Sequence, residues 1–407
     1  MNTPEPREIE HSILCCSDNT YCAHPRNVGL WRFPGDEIVV GHCHAECNYD
    51  EETEYHHTRC VAYKQRFKVL LQRSLDGGAT WPLEHNRTIW DEGTSSDEKR
   101  AVLYPENAAR DEFDMSHPDA AFFFGKTSLD ALERVGPAKT DAEAAPLATY
   151  VQRSADRLRT WERVPFVITP PDGLNWVNVH RTVVRMPDGS FVVSAVAGKR
   201  VGIGMTQGQV ALYGTDDDGM TWHHVSYIAG DPTGLGRPTY PSLALLASGR
   251  LLCVMLSLEG MGHFMCVSHS DDSGFTWSNP RCIVRLGQSP WVAHRERGKY
   301  GSVAEGRMQG QYGGQPMMYR SPDVMRLADG RIVVLFTRRR QPTGLGVILS
   351  EDDGATWSRE QILLKNCVGS DLGYTQATQL EDGRIFMAYY LTREDGVHYI
   401  AGTHFRI

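Results

Sequence analysis

An eight-residue phrase with the order Ser/Thr-x-Asp-x-Gly-x-Thr-Trp occurs four times in this chain. The copies are SLDGGATW at 74–81, TDDDGMTW at 215–222, SDDSGFTW at 270–277 and SEDDGATW at 350–357. A fifth stretch, SADRLRTW at 154–161, keeps Ser154, Asp156 and Thr160-Trp161 but lacks the glycine. Self-similarity at such intervals marks a repeat architecture, each copy belonging to one supersecondary unit that stacks on the next. A length of 407 residues is long for one ordinary domain and normal for such an array.

A second pattern runs between the phrases. HRTVVRMPDGSFVVSAVAG (180–198), YPSLALLASGRLLCVMLS (240–257), YRSPDVMRLADGRIVVLFTR (319–338) and YTQATQLEDGRIFMAYYL (374–391) each set Asp-Gly or Ser-Gly between β-branched and apolar runs. That is a strong hairpin signal, because glycine accepts the positive φ the turn requires. GLWRFPGDEIVVGH (29–42) is a shorter version and HPDAAFFFGKT (117–127) a poor one. The unit reads strand A, turn, strand B, loop, strand C, phrase, strand D. Inner hairpins opening at residues 29, 117, 180, 240, 319 and 374 predict an all-β fold: a six-bladed β-propeller of four-stranded antiparallel blades, one domain over 1–407. The last unit, ending in VHYIAGTHFRI, stops at strand C, so REIEHSILCC near the N-terminus is expected to supply its outer strand.

The phrases resemble the Asp boxes, or bacterial neuraminidase repeats, of the sialidase superfamily, whose members are six-bladed propellers. The resemblance implies that the box is a structural turn between strands C and D. Trp81, Trp222, Trp277 and Trp357 then belong to the core, and Asp76, Asp217, Asp272 and Asp352 tie turns rather than catalyse. It also implies an arginine, followed by Phe-Pro, that begins the first inner strand and holds a substrate carboxylate; Arg32 in LWRFPGD matches. Tyr374, opening the last inner strand in GYTQATQ, matches the family's tyrosine nucleophile. The family's loop aspartate falls among Asp50, Glu51, Glu52 and Glu54, of which Asp50 is chosen as acid/base. Two departures stand out. Where a helper glutamate should open the fourth inner strand the chain reads RPTYPSLALL, with Tyr240 or Pro241 near that point, and LLCVMLSLEG lacks the family's second arginine.

Antiparallel blades send A–B turns and boxes to one rim, and B–C loops and the starts of A strands to the other. The site is therefore expected opposite the boxes, gathering Arg32, His42, His44, Asp50, His180, Arg181, Tyr240, Arg320 and Tyr374 around the axis. Tyr374, Asp50 and His44 take catalytic roles in this reading; Arg32, Arg320, Arg181, Tyr240, His42 and His180 bind substrate. Guanidinium grips a carboxylate in bidentate fashion, so a locally positive mouth and an anionic carbohydrate substrate are expected. The favoured activity is hydrolysis of a terminal acidic sugar from a glycan. Histidine is a competent acid or base near neutrality, which supports an alternative, a polysaccharide lyase or rhamnose/uronate-cleaving propeller using His and Tyr. A non-catalytic glycan-binding propeller is the third reading. Arg237 and Arg338–Arg340 read as solvated loop charge. Cys43, His44, Cys47, His57 and Cys60 lack the tidy spacing of a zinc site, so no metal and no cofactor is expected.

Composition narrows the partners. A net charge of −8 and a pI near 6.1 argue against nucleic acid, and no run approaches the roughly 18 apolar residues of a membrane span. Ten unpatterned cysteines, two of them adjacent at Cys15-Cys16, read as reduced thiols. With no basic segment leading into an apolar one in MNTPEPREIEHSILCC, a cytoplasmic location is expected.

Overall fold

β-Branched and apolar residues favour the pleat, and a glycine after each run lets the chain double back. Gly189, Gly249, Gly330 and Gly383, the turn glycines of four hairpins, have φ of 93°, 84°, 94° and 84°. The structure, a computed structural model, describes residues 4–49, 67–106, 109–129, 147–201, 204–230, 236–259, 262–285, 311–312, 315–316, 319–339, 342–369 and 371–407.

The chain opens with β1 (Arg7–Cys15) and then builds blade one from β2 (Thr20–Ala23), β3 (Gly29–Phe33), β4 (Glu37–Glu46), β5 (Lys68–Ser74) and β6 (Arg87–Asp91). Both β2 and β3 pair with β4, so the innermost strand is one path interrupted by the 3₁₀ turn Pro25–Asn27. Helix α1 (Ser96–Leu103) follows, started by a reciprocal cap between Ser95 and Glu98. Blade two holds β7 (Ala121–Ser128), β8 (Leu147–Ser154) and β9 (Phe166–Ile168). Blade three is β10 (Trp176–Arg185), β11 (Phe191–Val201), β12 (Gly204–Thr215) and β13 (His223–Gly230). Blade four is β14 (Gly236–Leu245), β15 (Leu251–Glu259), β16 (Gly262–Ser270) and β17 (Arg281–Arg285). A two-stranded ribbon, β18 (Gln311–Tyr312) and β19 (Gln315–Pro316), precedes blade five: β20 (Tyr319–Arg326), β21 (Ile332–Arg338), β22 (Gly344–Ser350) and β23 (Gln361–Lys365). Blade six is β24 (Gly373–Gln379), β25 (Ile385–Thr392) and β26 (His398–Arg406), completed on its outer edge by β1, with Ser12 opposite Gly402.

The innermost strands touch in the order β3, β7, β10, β14, β20, β24, and β24 returns to β3, closing a ring of six blades. Strands buried on both faces send alternate side chains to opposite neighbours. Ile38 and Val40 pack with Phe386 and Tyr390 of blade six, whereas Val39 packs with Phe123 and Tyr150 of blade two. Six apolar clusters result, one at each blade interface. Among the described residues blade two shows three strands, β7, β8 and β9. Its poor hairpin at 117–127 yields one strand, β7, and no strand forms among the described residues of 104–120. That polar stretch offers neither alternation nor a turn pair, and Met115 plugs the gap in the core.

The boxes are built as local fasteners. In the first, the Ser74 hydroxyl donates to Asp76 Oδ1 at 2.6 Å and accepts the Gly78 amide at 2.8 Å, while Asp76 also takes the Thr80 amide and hydroxyl at 2.9 and 2.6 Å. The same bonds recur around Asp156, Asp217, Asp272 and Asp352. The fifth box keeps the geometry without glycine: Leu158, at φ 60°, takes the left-handed conformation and donates its amide to Ser154 at 2.9 Å. Of the four predicted core tryptophans Trp222 is buried; Trp81, Trp277 and Trp357 are half-buried and donate Nε1 to the carbonyl of their own box glycine. No helix among the described residues is long and apolar enough to cross a membrane.

Candidate functional site

At one level of the ring the inner strands leave their ladders. Pairing is interrupted between Val179 and Val183 in β10, Thr239 and Ser242 in β14, Arg320 and Asp323 in β20, and Gly373 and Gln376 in β24. Blade one breaks at the same kind of place, between β2 and β3. Non-glycine residues sit at positive φ in four of these breaks: His24 at 61°, Tyr240 at 51°, Ser321 at 46° and Tyr374 at 54°. Such conformations cost of order 1–3 kcal/mol each and persist only where surrounding structure enforces them. Their effect here is to turn side chains out of the ladder and toward the axis.

Tyr374 lies at the centre of the resulting cluster. Its hydroxyl is 3.2 Å from that of Tyr240 and accepts from Arg320 Nη2 at 3.3 Å. The Arg320 guanidinium stacks over the Tyr240 ring at 4.5 Å, and Arg339 lies 6.0 Å from the centre of the Tyr374 ring. His24 meets Tyr374 edge-on at 4.7 Å, and His180 meets Tyr240 edge-on at 5.5 Å. A relay continues outward. Arg339 donates to Tyr390 at 3.3 Å, Tyr390 donates to Asp371 at 2.5 Å, and His398 Nε2 approaches the other Asp371 oxygen at 3.2 Å. Beneath these, Arg26 is buried and donates to the carbonyls of Pro241 at 2.8 Å, Pro322, and Thr375 at 3.5 Å, with Asp323 at 3.6 Å.

Burial pushes the Tyr374 phenol up, but the charges of Arg320 and Arg339 and the hydrogen bonds from Tyr240 and Arg320 outweigh it, leaving its pKa below the ordinary value. Tyr390 goes the other way, raised by burial and by the neighbouring Asp371 carboxylate. Two phenols on adjacent strands of one blade are thus set apart: Tyr374 inclined to ionise, Tyr390 held neutral. Such splitting by environment is the pattern by which sites assign acid and base roles.

A family model for the BNR repeat-like domain matches residues 134–387, more than half of the sequence. The chain belongs to this family. The BNR repeat-like propeller superposes on a solved Dyadobacter fermentans protein of unknown function with a TM-score of 0.68 and 18% identity, covering 100% of both chains. A Hadza microbial sialidase gives 0.56 and 15%, covering 95% of this chain and 65% of that one, so the chain spans less than two thirds of that protein. An α-L-arabinanase of Penicillium chrysogenum in complex with arabinobiose gives 0.52 and 13%, covering 95% and 98%. At these identities the likeness is one of fold alone. A comparison with curated protein sequences gives no match.

Within the BNR repeat-like propeller, the structure brings together four of the expected site residues: Tyr374, Tyr240, Arg320 and His180. Arg32 is a correction. It lies beside the A–B turn, bound to Asp36 at 2.6 Å and Glu381 at 3.2 Å, on the rim where Asp36 also accepts the Gly77 amide of the first box. The reason is that β3 covers only the box-side half of its inner strand; β2 and the turn after it supply the mouth-side half. Arg26, in that turn, occupies the axis instead. The carboxylate-clamp role assigned to Arg32 therefore falls. His42 and His44 also lie apart from Tyr374 in their contacts, in blade one beside Cys15 and Cys22. The backbone of Arg181 occupies the β10 break, and its side chain lies outside the described residues, as do Asp50, the acidic residues after it, His57 and Cys60. Arg339 corrects the reading of 338–340 as solvated charge: it is 7% exposed and faces the site, while Arg338 pairs with Glu360.

The sequence reading missed Arg26, His24, Asp371, Tyr390 and His398. One signal was present for the first two. The 29–42 hairpin is shorter than the others, so its inner strand cannot reach the mouth and residues upstream must. Tyr390 sits in an apolar strand, FMAYYL, where nothing local distinguishes it from core.

Proposed function

We propose that this propeller is a glycan-acting enzyme that hydrolyses a glycosidic bond at the mouth opposite the boxes, with Tyr374 as nucleophile. The observation that carries the reading is the Tyr374 phenol, lowered in pKa between Arg320 and Arg339 and held by Tyr240. A neutral or partly ionised phenol is a known exception to the carboxylate nucleophile in glycosidases. Tyr374 Oη, as the phenolate, would bond to the anomeric carbon as the bond to the leaving oxygen breaks, that oxygen taking a proton from an acid for which Asp50 remains the candidate. Water, giving a proton back to that carboxylate, then displaces Tyr374 as the phenolate. With Arg32 on the other rim, the argument for an anionic substrate group rests on Arg320 and Arg339. The fold shared with a sialidase and an arabinanase supports the substrate class without choosing the sugar.

A second reading, elimination at a uronate, is favoured by one observation: among the described residues, no carboxylate faces the Tyr374 hydroxyl, whose partners are Tyr240 and Arg320. Tyr374 would then abstract the proton beside a carboxylate neutralised by arginine. A panel of fluorogenic sialosides, arabinosides and uronides, with uronate polymers followed by ultraviolet absorbance of an unsaturated product, separates the two. Hydrolysis predicts a saturated, hydrated product and a loss of about 10³-fold or more in kcat for Tyr374→Phe. Undiminished turnover in that variant removes the nucleophile, and an unsaturated product replaces hydrolysis with elimination.

A further inference from the structure

Outside the tyrosine cluster, β1, β2 and β4 bring two thiols and two imidazoles together at the seam where the ring closes. Cys15 Sγ lies 3.5 Å from Cys22 Sγ, and Cys22 Sγ lies 3.5 Å from His44 Nδ1. The ligand atoms of all three residues fall within 4.8 Å of one another. Cys22 is buried and opposite His44 in the β2–β4 register, and Cys15 and His44 are half-buried.

We infer that Cys15, Cys22 and His44 form a structural zinc site that staples the N-terminal strand to blade one, with His42, next to His44 on the same strand face, turning in to complete it. Tetrahedral zinc has Zn–S of about 2.3 Å and Zn–N of about 2.0–2.1 Å, which sets ligand-to-ligand edges of about 3.8 Å for S–S and about 3.5 Å for S–N. The Cys15–Cys22 and Cys22–His44 separations, both 3.5 Å, match these edges to within about 0.3 Å.

His42 supplies the independent observation. It lies two residues before His44 on β4, hence on the same face of the strand, with its ring 6.0 Å from that of His44. It is fully buried, with Nδ1 3.1 Å from the carbonyl of Cys43. A carbonyl only accepts, so Nδ1 carries the proton and Nε2 presents a lone pair. Among the described residues that buried Nε2 makes no hydrogen bond of good geometry, and the Cys15 thiol is its neighbour. A ring oriented through a backbone carbonyl with its other nitrogen free is the usual support of a metal-bound histidine. Metal binding displaces the thiol protons to solvent.

The placement gives the site a purpose. β1 is the outer strand of blade six, and β2 and β4 belong to blade one, so a metal here cross-links the two ends of the ring. The ligands differ from the Cys43, His44, Cys47, His57 and Cys60 set that the sequence first suggested, sharing only His44.

The test uses the full chain, reduced and stripped with chelator, then titrated with Zn²⁺ alone. One zinc per chain by elemental analysis is expected, with a rise in Tm on zinc addition. Co²⁺ in its place should give a thiolate charge-transfer band and the intense visible bands of tetrahedral coordination. Cys22→Ser, and the more exposed Cys15→Ser in case the first fails to fold, should weaken zinc binding at least tenfold and abolish the Tm rise. Cys253→Ala and the pair His57→Ala with Cys60→Ser should leave both intact. The proposal is overturned if the stripped chain takes up no zinc. It is also overturned if the Cys15 and Cys22 variants bind as the parent does, or if the His57/Cys60 variant alone loses the metal.

Discussion

Arg26 offers the sharpest test of how this ring is held at its axis. Its side chain is fully buried and joins three inner strands by donating to carbonyls at Pro241, Pro322 and Thr375, with Asp323 as counter-charge. Arg26→Met keeps a long apolar side chain but strips those carbonyls of their donor and takes from the buried Asp323 its arginine counter-charge, leaving in place the bonds from the Ser242 hydroxyl and Ala377 amide. Breaking a buried ion pair from one side costs about 3–5 kcal/mol. Unfolding entropy of about 2.1 cal/mol/K per residue, applied to 407 residues, makes about 4 kcal/mol equivalent to a Tm lower by about 5 °C. Thermal melts by circular dichroism read this directly. Adding Asp323→Asn removes the charge that Arg26 had faced, so the double variant should melt above Arg26→Met alone. A Tm within about 1 °C of the parent, or losses in the double variant that simply add, would refute the account, because contacting residues must couple.

Two further outcomes test the fasteners. Asp272, drawn down to about 2 by Thr276 and Ser270, is ionised in the folded state at pH values where the unfolded carboxyl, near 3.9, has begun to protonate. Its contribution is complete above about pH 4 and is lost as pH falls toward 2, so Asp272→Ala should lower Tm at neutral pH and flatten the Tm–pH curve across that interval; an unchanged slope counts against the box as an acid-sensitive fastener. Leu158→Gly restores the consensus glycine and relieves a left-handed leucine, worth about 1–2 kcal/mol, but empties a fully buried site whose truncation costs about 3–5 kcal/mol. Urea unfolding should show net destabilisation of about 2 kcal/mol, and a more stable variant would mean that strain outweighs packing there.

What could be read from the sequence is what depends on near neighbours. Each box closes through a bond that its first Ser or Thr donates to the Asp two residues on and another that the Thr four residues after that Asp donates back to it, so its structure travels with eight letters of sequence. The hairpins are equally local, since a Gly turn between apolar runs sets both strands and register. The blade count follows from them, and the N-terminal clasp follows from the strand the last blade lacks. Blade two resisted because its inner segment carries no such signal. Arg32 misled for a related reason: its motif was present, but the strand holding it was cut short.

The site is different in kind. Tyr240 and Tyr374 are 134 residues apart, and Arg26 reaches acceptors 215, 296 and 349 residues away. Nothing in the residues around Arg26 states that three other inner strands will each break at the same level and turn a carbonyl toward it. The sequence therefore determined the repeating unit, its number and the closing strand, because each rests on contacts within a few residues. Only the closed ring decided which arginine stands at the axis and which tyrosine loses its proton more readily, because burial and charge at that point are summed over several blades at once.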